Sequence, residues 1–231
     1  MIKFSLRNRD KTVVELSATT DTWFEDIKFW NMGYELVGGV DEVGRGPLAG
    51  PVVAACVILP KWALIEGIVG SGTVRDSKRL SPLRRQQLYD TIMSTAVAVG
   101  IGRVEPEEID RINILNAVRK AMEQAVLTCN PRPDCLLIDA LVLKNCSIPQ
   151  FSLVKGDVRS QAIAAASIIA KVTRDREMMR WAEVYPQYGF EKHKGYGTEE
   201  HIENIKRFGL SPIHRRTFCE KFLSSPPLQN L

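Results

Sequence analysis

Two short, valine-rich apolar runs, residues 36–43 and 52–59, flank the heptapeptide GRGPLAG, and this arrangement constrains the fold of the 231-residue chain more than any other feature. Runs of this length, rich in β-branched residues and bounded by glycine and proline, read as strand, turn and strand. Gly44, Gly46 and Gly50 suit a tight turn that lets backbone approach a ligand without side-chain obstruction. They do not make a dinucleotide-binding fingerprint. That motif opens a helix, whereas here the strand-like VVAACVIL follows and the spacing is wrong.

Further along, Ser81 ahead of Pro82 gives a capping residue and a proline at the first helical position, so a helix starts there and runs through LRRQQLYDTI. AVAVGIGRV reads as a third strand. Pro106 opens EEIDRINILNAVRKAMEQAV, whose apolar positions recur at helical spacing and predict one amphipathic helix. CLLIDALVL is a strand-type run bearing Asp139, and FSLV at 151–154 is a weaker strand. From Val158, RSQAIAAASIIAKVTRDREMMRWAEVY predicts about seven turns of helix, and its AIAAAS stretch suits close packing. Residues 185–198 read as a loop dense in glycine and aromatics, and TEEHIENIKRFG as the last helix. Strands first, then helices interposed between later strands, predict a mixed β-sheet flanked by helices in one α/β domain with a helical C-terminal region. The expected boundaries are 36–223 for that domain, with an extension or packing helix over 1–35 and a tail over 224–231.

Acidic residues within apolar strands are expensive, because a desolvated carboxylate must be paired, protonated or bound to a cation. Asp41, Glu42 and Asp139 lie in such runs, and Asp157 lies where the long helix is expected to start. Singly, each has a plain explanation: a salt bridge for the first three, a helix cap for Asp157. Together, with no matching His or Cys, they form an oxygen-donor set suited to Mg²⁺ or Mn²⁺. Two such ions about 4 Å apart can activate water and stabilise a leaving oxygen in phosphodiester hydrolysis. Adjacent strand residues point to opposite faces, so Asp41 and Glu42 share a site only if the strand ends or bends there; the glycines at 44 and 46 favour a bend.

Other classes are excluded or unsupported. The longest unbroken apolar stretch is residues 52–59, far short of the roughly 20 residues that span a bilayer. The charged N-terminus MIKFSLRNRD lacks the apolar centre of a secretion signal, so a cytoplasmic location is the expectation. Five cysteines without a CxxC pair argue against a disulfide framework and a zinc knuckle. Net charge is +4; residues 1–154 balance at 18 basic and 18 acidic, and residues 155–221 carry 13 and 9. A basic C-terminal third suits a polyanion-binding face, and equally a solvated helical surface. His193, His201 and His214 lack ligand spacing with cysteine and read as surface or structural, and the four tryptophans as partial core.

GGVDEVGRGPLAGPVVAA, DSKRLS, EIDRINILNA, LLIDAL, KGDVRSQAIAAASIIAKVTRD, KGYGT and HRRTF occur in that order between residues 36 and 218, and the set closely resembles the type 2 ribonucleases H, the ribonuclease HII family. The resemblance implies a ribonuclease H fold and a four-carboxylate, two-metal site at Asp41, Glu42, Asp139 and Asp157. It implies that Gly44, Arg45 and Gly46 recognise a 2′-hydroxyl and adjacent phosphate, and that Tyr196 stacks at a ribonucleotide–deoxyribonucleotide junction. Lys78 in DSK is a candidate phosphate contact or a structural salt bridge. The implied activity is hydrolysis of the RNA strand of RNA–DNA hybrids and cutting 5′ of a ribonucleotide embedded in duplex DNA, leaving 3′-hydroxyl and 5′-phosphate ends. A monomer is expected. Two alternatives stand beside this reading. One is a type 3 ribonuclease H, which typically has glycine-threonine-glycine at the turn and a long N-terminal domain. The other is a non-catalytic nucleic-acid-binding protein of the same fold, disfavoured because gathered carboxylates repel phosphates.

Overall fold

The computed structural model describes residues 24–65 and 80–223. Helix α1 (Phe24–Asn31) leads into strand β1 (Val37–Val43), which returns as β2 (Val52–Ile58); a short helix α2 (Lys61–Ile65) follows. Next come α3 (Pro82–Thr95), β3 (Ala98–Val104), α4 (Pro106–Ile112), α5 (Ile114–Thr128), β4 (Cys135–Asp139) and β5 (Gln150–Leu153). The long α6 (Gln161–Val184) is followed by α7 (Phe190–His193), α8 (Glu199–Phe208) and α9 (Arg216–Leu223). The five strands form one mixed sheet in the order β3-β2-β1-β4-β5, with β1 antiparallel to β2 and parallel to β4.

β2 is buried along its whole length, which explains its unbroken apolar run: both faces of the sheet are covered. Val52, Ala54, Cys56 and Ile58 pack with Ala117, Ala121, Met122 and Ala125 of α5. Val53, Ala55 and Val57 pack with Ala164, Ala165, Ile168 and Ile169 of α6. The small residues of α6 let the helix lie directly on the strands. At Gly39 of β1 an added Cβ meets the helix backbone at Ala162 and Ile163, so only glycine fits that crossing. α1 closes the other end of this layer, with Phe29 against Val37, Leu137, Leu153 and Ile163.

Local signals set most element starts. Ser81 caps α3 by accepting the Arg84 N–H at 3.2 Å, with Pro82 at the first helical position. The single helix expected after Pro106 is in fact two. Asn113 adopts a left-handed φ of 64°, and its side chain accepts the N–H groups of Leu115 and Asn116, ending α4 and capping α5. The stretch 185–198, expected as a loop, contains a 3₁₀ turn (Pro186–Tyr188) and α7, and α9 follows the helix expected to be the last. Trp62 is 53% exposed rather than part of the core. All five cysteines are free thiols. Among the described residues no helix is long and apolar enough to cross a membrane.

Candidate active site

β1 is the central strand, and in its parallel pairing with β4 Val40 lies opposite Ile138. The next residue on each strand is an aspartate, so Asp41 and Asp139 emerge side by side at the carboxyl end of the parallel pair. Open α/β sheets bind ligands at this end. Asp41 is 7% exposed; its Oδ1 accepts the Glu42 N–H at 2.8 Å, and Ser167 of α6 is hydrogen-bonded to its carboxylate. Burial, then the neighbouring charges of Glu42 and Asp139, raise the Asp41 carboxyl well above the usual range, against the pull of those hydrogen bonds.

Glu42 is half-buried and in register with Ala54, and of the neighbouring charges its own acts most strongly on Asp41, ahead of Asp139. The strand ends at Val43, one residue after Glu42, and the expected bend comes at Gly44, with φ 92°. β4 ends at Asp139 because Ala140 is left-handed, φ 52°. Asp139 Oδ1 accepts the Gly156 N–H at 2.8 Å and so fastens the 3₁₀ turn Gly156–Val158, whose middle residue is the half-buried Asp157. Asp157 is therefore not the cap of α6. Ser160 holds that place, its Oγ accepting the Ile163 N–H at 3.2 Å. A left-handed Lys155, φ 55°, opens the turn. Non-glycine residues in this conformation cost about 1–3 kcal/mol each, and two of them flank the acidic residues of this edge.

Beyond Gly44 the turn is held by two arginines that the sequence patterns did not single out. Arg174 of α6 and Arg215 are both 0% exposed. Arg174 donates to the carbonyls of Pro51 (2.9 Å), Ala49 (2.9 Å) and Lys194 (3.0 Å). Arg215 donates to those of Gly44 (2.6 Å), Arg45 (3.1 Å) and Gly50 (3.0 and 2.8 Å). Neither forms an ion pair among the described residues. Burial lowers both guanidinium groups, Arg215 to about 9, with Arg174 as the second cause for Arg215. A Cβ at Gly44 would strike Arg174 and the Pro51 carbonyl, so glycine is required there for space as well as for its φ.

The same clamp joins the turn to the KGYGT loop. Gly195 O accepts the N–H groups of Leu48 (2.8 Å) and Ala49 (3.3 Å), and the Arg174 guanidinium lies 5.8 Å from the Tyr196 ring centre. Arg45, Gly46 and Tyr196 are exposed on this rigid unit. Behind it the three histidines, expected singly at the surface or as structural residues, are buried together. The Ser211 N–H donates to His214 Nδ1 at 2.9 Å, so His214 Nε2 carries the proton and donates to His201 Nε2 at 3.0 Å. His201 Nδ1 then donates to the Tyr196 carbonyl at 2.9 Å. His193 stacks on His201 at 4.4 Å and accepts the Gly195 N–H. Every nitrogen of the chain is satisfied in the neutral state. Burial lowers His201 to about 4 and, with the charge of His201 next, His214 to about 3. Lys78 lies outside the described residues.

Residues 38–221 match the sequence profile of the family described as Ribonuclease HII. The chain belongs to the ribonuclease HII family. The ribonuclease HII of Acetivibrio thermocellus is 52% identical over 209 residues, covering 90% of this chain and 79% of that one. Among solved structures, the ribonuclease H2 of Pyrococcus horikoshii OT3 is 28% identical with a TM-score of 0.66, covering 82% of this chain and 99% of that one. Bst-RNase HIII in complex with Mn²⁺ is 20% identical with a TM-score of 0.65, covering 92% and 77%, a likeness of fold.

As a ribonuclease HII, the chain is a metal-dependent endoribonuclease that hydrolyses the RNA strand of RNA–DNA hybrids, which answers both alternatives raised from the sequence. The donors at the carboxylate edge fit a divalent cation in type: they are all oxygens, and Asp41 is buried against the like charges of Glu42 and Asp139. Among the described residues no three acidic, His or Cys side chains are already arranged to hold a metal ion. Ser167, Arg174 and Arg215 are residues of this candidate site that sequence reasoning missed. Their partners are a carboxylate or main-chain carbonyls far along the chain, and the only signal was that Ser167 and Arg174 fall within the segment KGDVRSQAIAAASIIAKVTRD and Arg215 within HRRTF.

Proposed function

We propose that this ribonuclease HII, besides degrading the RNA of hybrids, cuts duplex DNA on the 5′ side of a single embedded ribonucleotide, leaving 3′-hydroxyl and 5′-phosphate ends. Asp41, Glu42, Asp139 and Asp157 hold two divalent ions, Mg²⁺ or Mn²⁺. When bound, such ions neutralise phosphate charge and lower the pKa of water for attack on the phosphodiester. Asp41 is the central holder, since it is buried between Glu42 and Asp139. Asp157, carried on its own turn beside Asp139, serves the nucleophile side, while Glu42 and Asp139 serve the leaving-group side.

The observation that carries this reading is the juxtaposition of a buried, charge-crowded Asp41 with the arginine-held turn that begins three residues later. Gly46 has open space where a Cβ would be, so backbone there can approach a sugar closely. A 2′-hydroxyl is the group by which protein tells RNA from DNA. Gly44, Arg45 and Gly46 read that hydroxyl and its phosphate, and Tyr196, fixed to the same unit, stacks against the neighbouring deoxyribose. The test is cleavage of a labelled duplex with one ribonucleotide, in Mg²⁺, in Mn²⁺ and in chelator, mapped to the nucleotide. A metal-dependent cut immediately 5′ of the ribonucleotide is expected. Cutting of uninterrupted hybrid alone would overturn the single-ribonucleotide reading.

A further inference from the structure

The turn that carries Asp157 is strung between two anchors. One is Asp139, through the Gly156 N–H at 2.8 Å. Within the turn, the N–H groups of Arg159 and Ser160 both donate to the Gly156 carbonyl, at 3.0 and 2.8 Å. The other anchor is α1. Asp26 accepts from Ser160 Oγ (2.9 Å), the Gln161 N–H (2.8 Å) and the Ala162 N–H (3.3 Å), and Glu25 forms an ion pair with Arg159.

A serine cap alone is enough to start a helix, and Ser160 already provides one. Asp26 adds a second, charged cap from a different helix, although it is 1% exposed and has no ion pair among the described residues. A buried carboxylate held only by neutral donors is costly and needs a compensating use. α1 is itself fixed to the sheet through Phe29, which packs on Val37 of β1 and Leu137 of β4, the strands that carry Asp41 and Asp139. The start of α6 is thereby referenced to the same two strands as the other acidic residues.

We propose that Asp26 is a positioning residue for Asp157: through Ser160 and the first amides of α6 it sets where the 156–160 turn holds that carboxylate relative to Asp41 and Asp139. Glu25 supports it through Arg159. α1 is thus part of the catalytic apparatus rather than an extension packed on it. This inference rests on the reading that Asp157 belongs to the ion-holding set.

The test uses the full chain, with Mn²⁺ alone as the calorimetric probe and uniform RNA–DNA hybrid as the kinetic substrate. Asp26→Asn keeps the shape but turns one acceptor oxygen into a donor. Groups that orient a metal ligand typically matter about 10- to 100-fold, so Mn²⁺ affinity and kcat are each expected to fall about tenfold or more. KM for the hybrid is expected to stay within about twofold, because the turn at 44–50 is untouched. Ile92→Ala, at a buried position of α3, serves as a control that lowers the melting temperature without moving either quantity. Glu25→Gln, which keeps a hydrogen bond to Arg159, gives a milder version with a loss of about threefold should Asp26→Asn fold poorly. The proposal is overturned if Asp26→Asn, or Glu25→Gln in its place, matches wild type in both Mn²⁺ affinity and kcat, or if Ile92→Ala weakens Mn²⁺ binding as much. Asp157→Asn that matches wild type in Mn²⁺ affinity and kcat would instead sink the assignment of Asp157 to the ion-holding set, whatever Asp26→Asn does.

Discussion

The carboxylate edge and the glycine turn meet at Gly44 but are built on opposite principles. At the edge, like charges are brought together from neighbouring positions in the sheet, and Asp41 is left electrostatically uncomfortable. In the turn, two buried positive charges come from residues 123 or more positions away, and their guanidinium groups donate to main-chain carbonyls. The first region stores unfavourable charge that, in the function proposed above, a bound cation relieves. The second also buries like charge, Arg174 beside Arg215, but each guanidinium nitrogen there donates to a main-chain carbonyl. In the proposed function, chemistry thus sits where stability is sacrificed, and recognition sits where the backbone is over-determined.

Replacing Asp41 breaks the comparison most sharply. Asp41→Asn is expected to lower cleavage by about a thousandfold or more, since several kcal/mol of charge stabilisation is lost. The same substitution is expected to raise the melting temperature in chelator. A carboxyl whose folded pKa lies above its unfolded value favours the fold as pH falls and costs stability at neutral pH, so removing it relieves that cost. Near-normal turnover, or a lower melting temperature in chelator, would contradict the assignment of stored charge to this edge.

The turn should behave the other way. Arg215→Met leaves the carbonyls of Gly44, Arg45 and Gly50 without this donor, at about 1–3 kcal/mol for each buried acceptor left unmet. Denaturant unfolding should show a loss of several kcal/mol, and Arg215→Lys should restore only part of it, because an ammonium lacks the planar fork. Unchanged stability in Arg215→Met would remove the clamp from the account. Tyr196→Ala tests recognition alone. Loss of one stacking contact is worth about 1–3 kcal/mol, so kcat/KM on the single-ribonucleotide duplex should fall about tenfold, and by less on uniform hybrid. Equal losses on both substrates would deny Tyr196 a selective role.

The smallest effect concerns pH. His201 and His214 have folded pKa values of about 4 and about 3 against an ordinary 6.5. Their contribution to stability is complete above the unfolded value and is lost as pH falls through 6.5 towards those values. Resonances of both imidazoles should therefore stay in the neutral form at pH 5, and their titration near 6.5 would break the hydrogen-bonded chain from Ser211 to Tyr196.

Much of the fold was legible because it is local. The β1–turn–β2 hairpin, the Ser81 cap of α3 and the small-residue face of α6 each depend on side chains close together in sequence, and they stand where the periodicity and capping signals put them. The acidic residues were legible for a related reason: a carboxylate in an apolar run is costly wherever the run is buried, so its presence alone points to a compensating partner. Local reading failed where a backbone angle or a remote partner decides. Asn113 splits a helix whose apolar spacing is uninterrupted, because its left-handed φ is compatible with asparagine and is stabilised by its own cap.

The sequence by itself thus determined most of the strands and longer helices and that carboxylates lie in apolar strands. Only the tertiary structure decided that Asp157 rides a separate turn, that Asp26 caps α6 from another helix, and that Arg174 and Arg215 bind the turn to the Tyr196 loop. Main-chain carbonyls and amides offer the same hydrogen-bonding group at nearly every residue. Which of them a buried arginine or aspartate will find is set by the packing that brings distant segments together, and no pattern of neighbouring side chains encodes it.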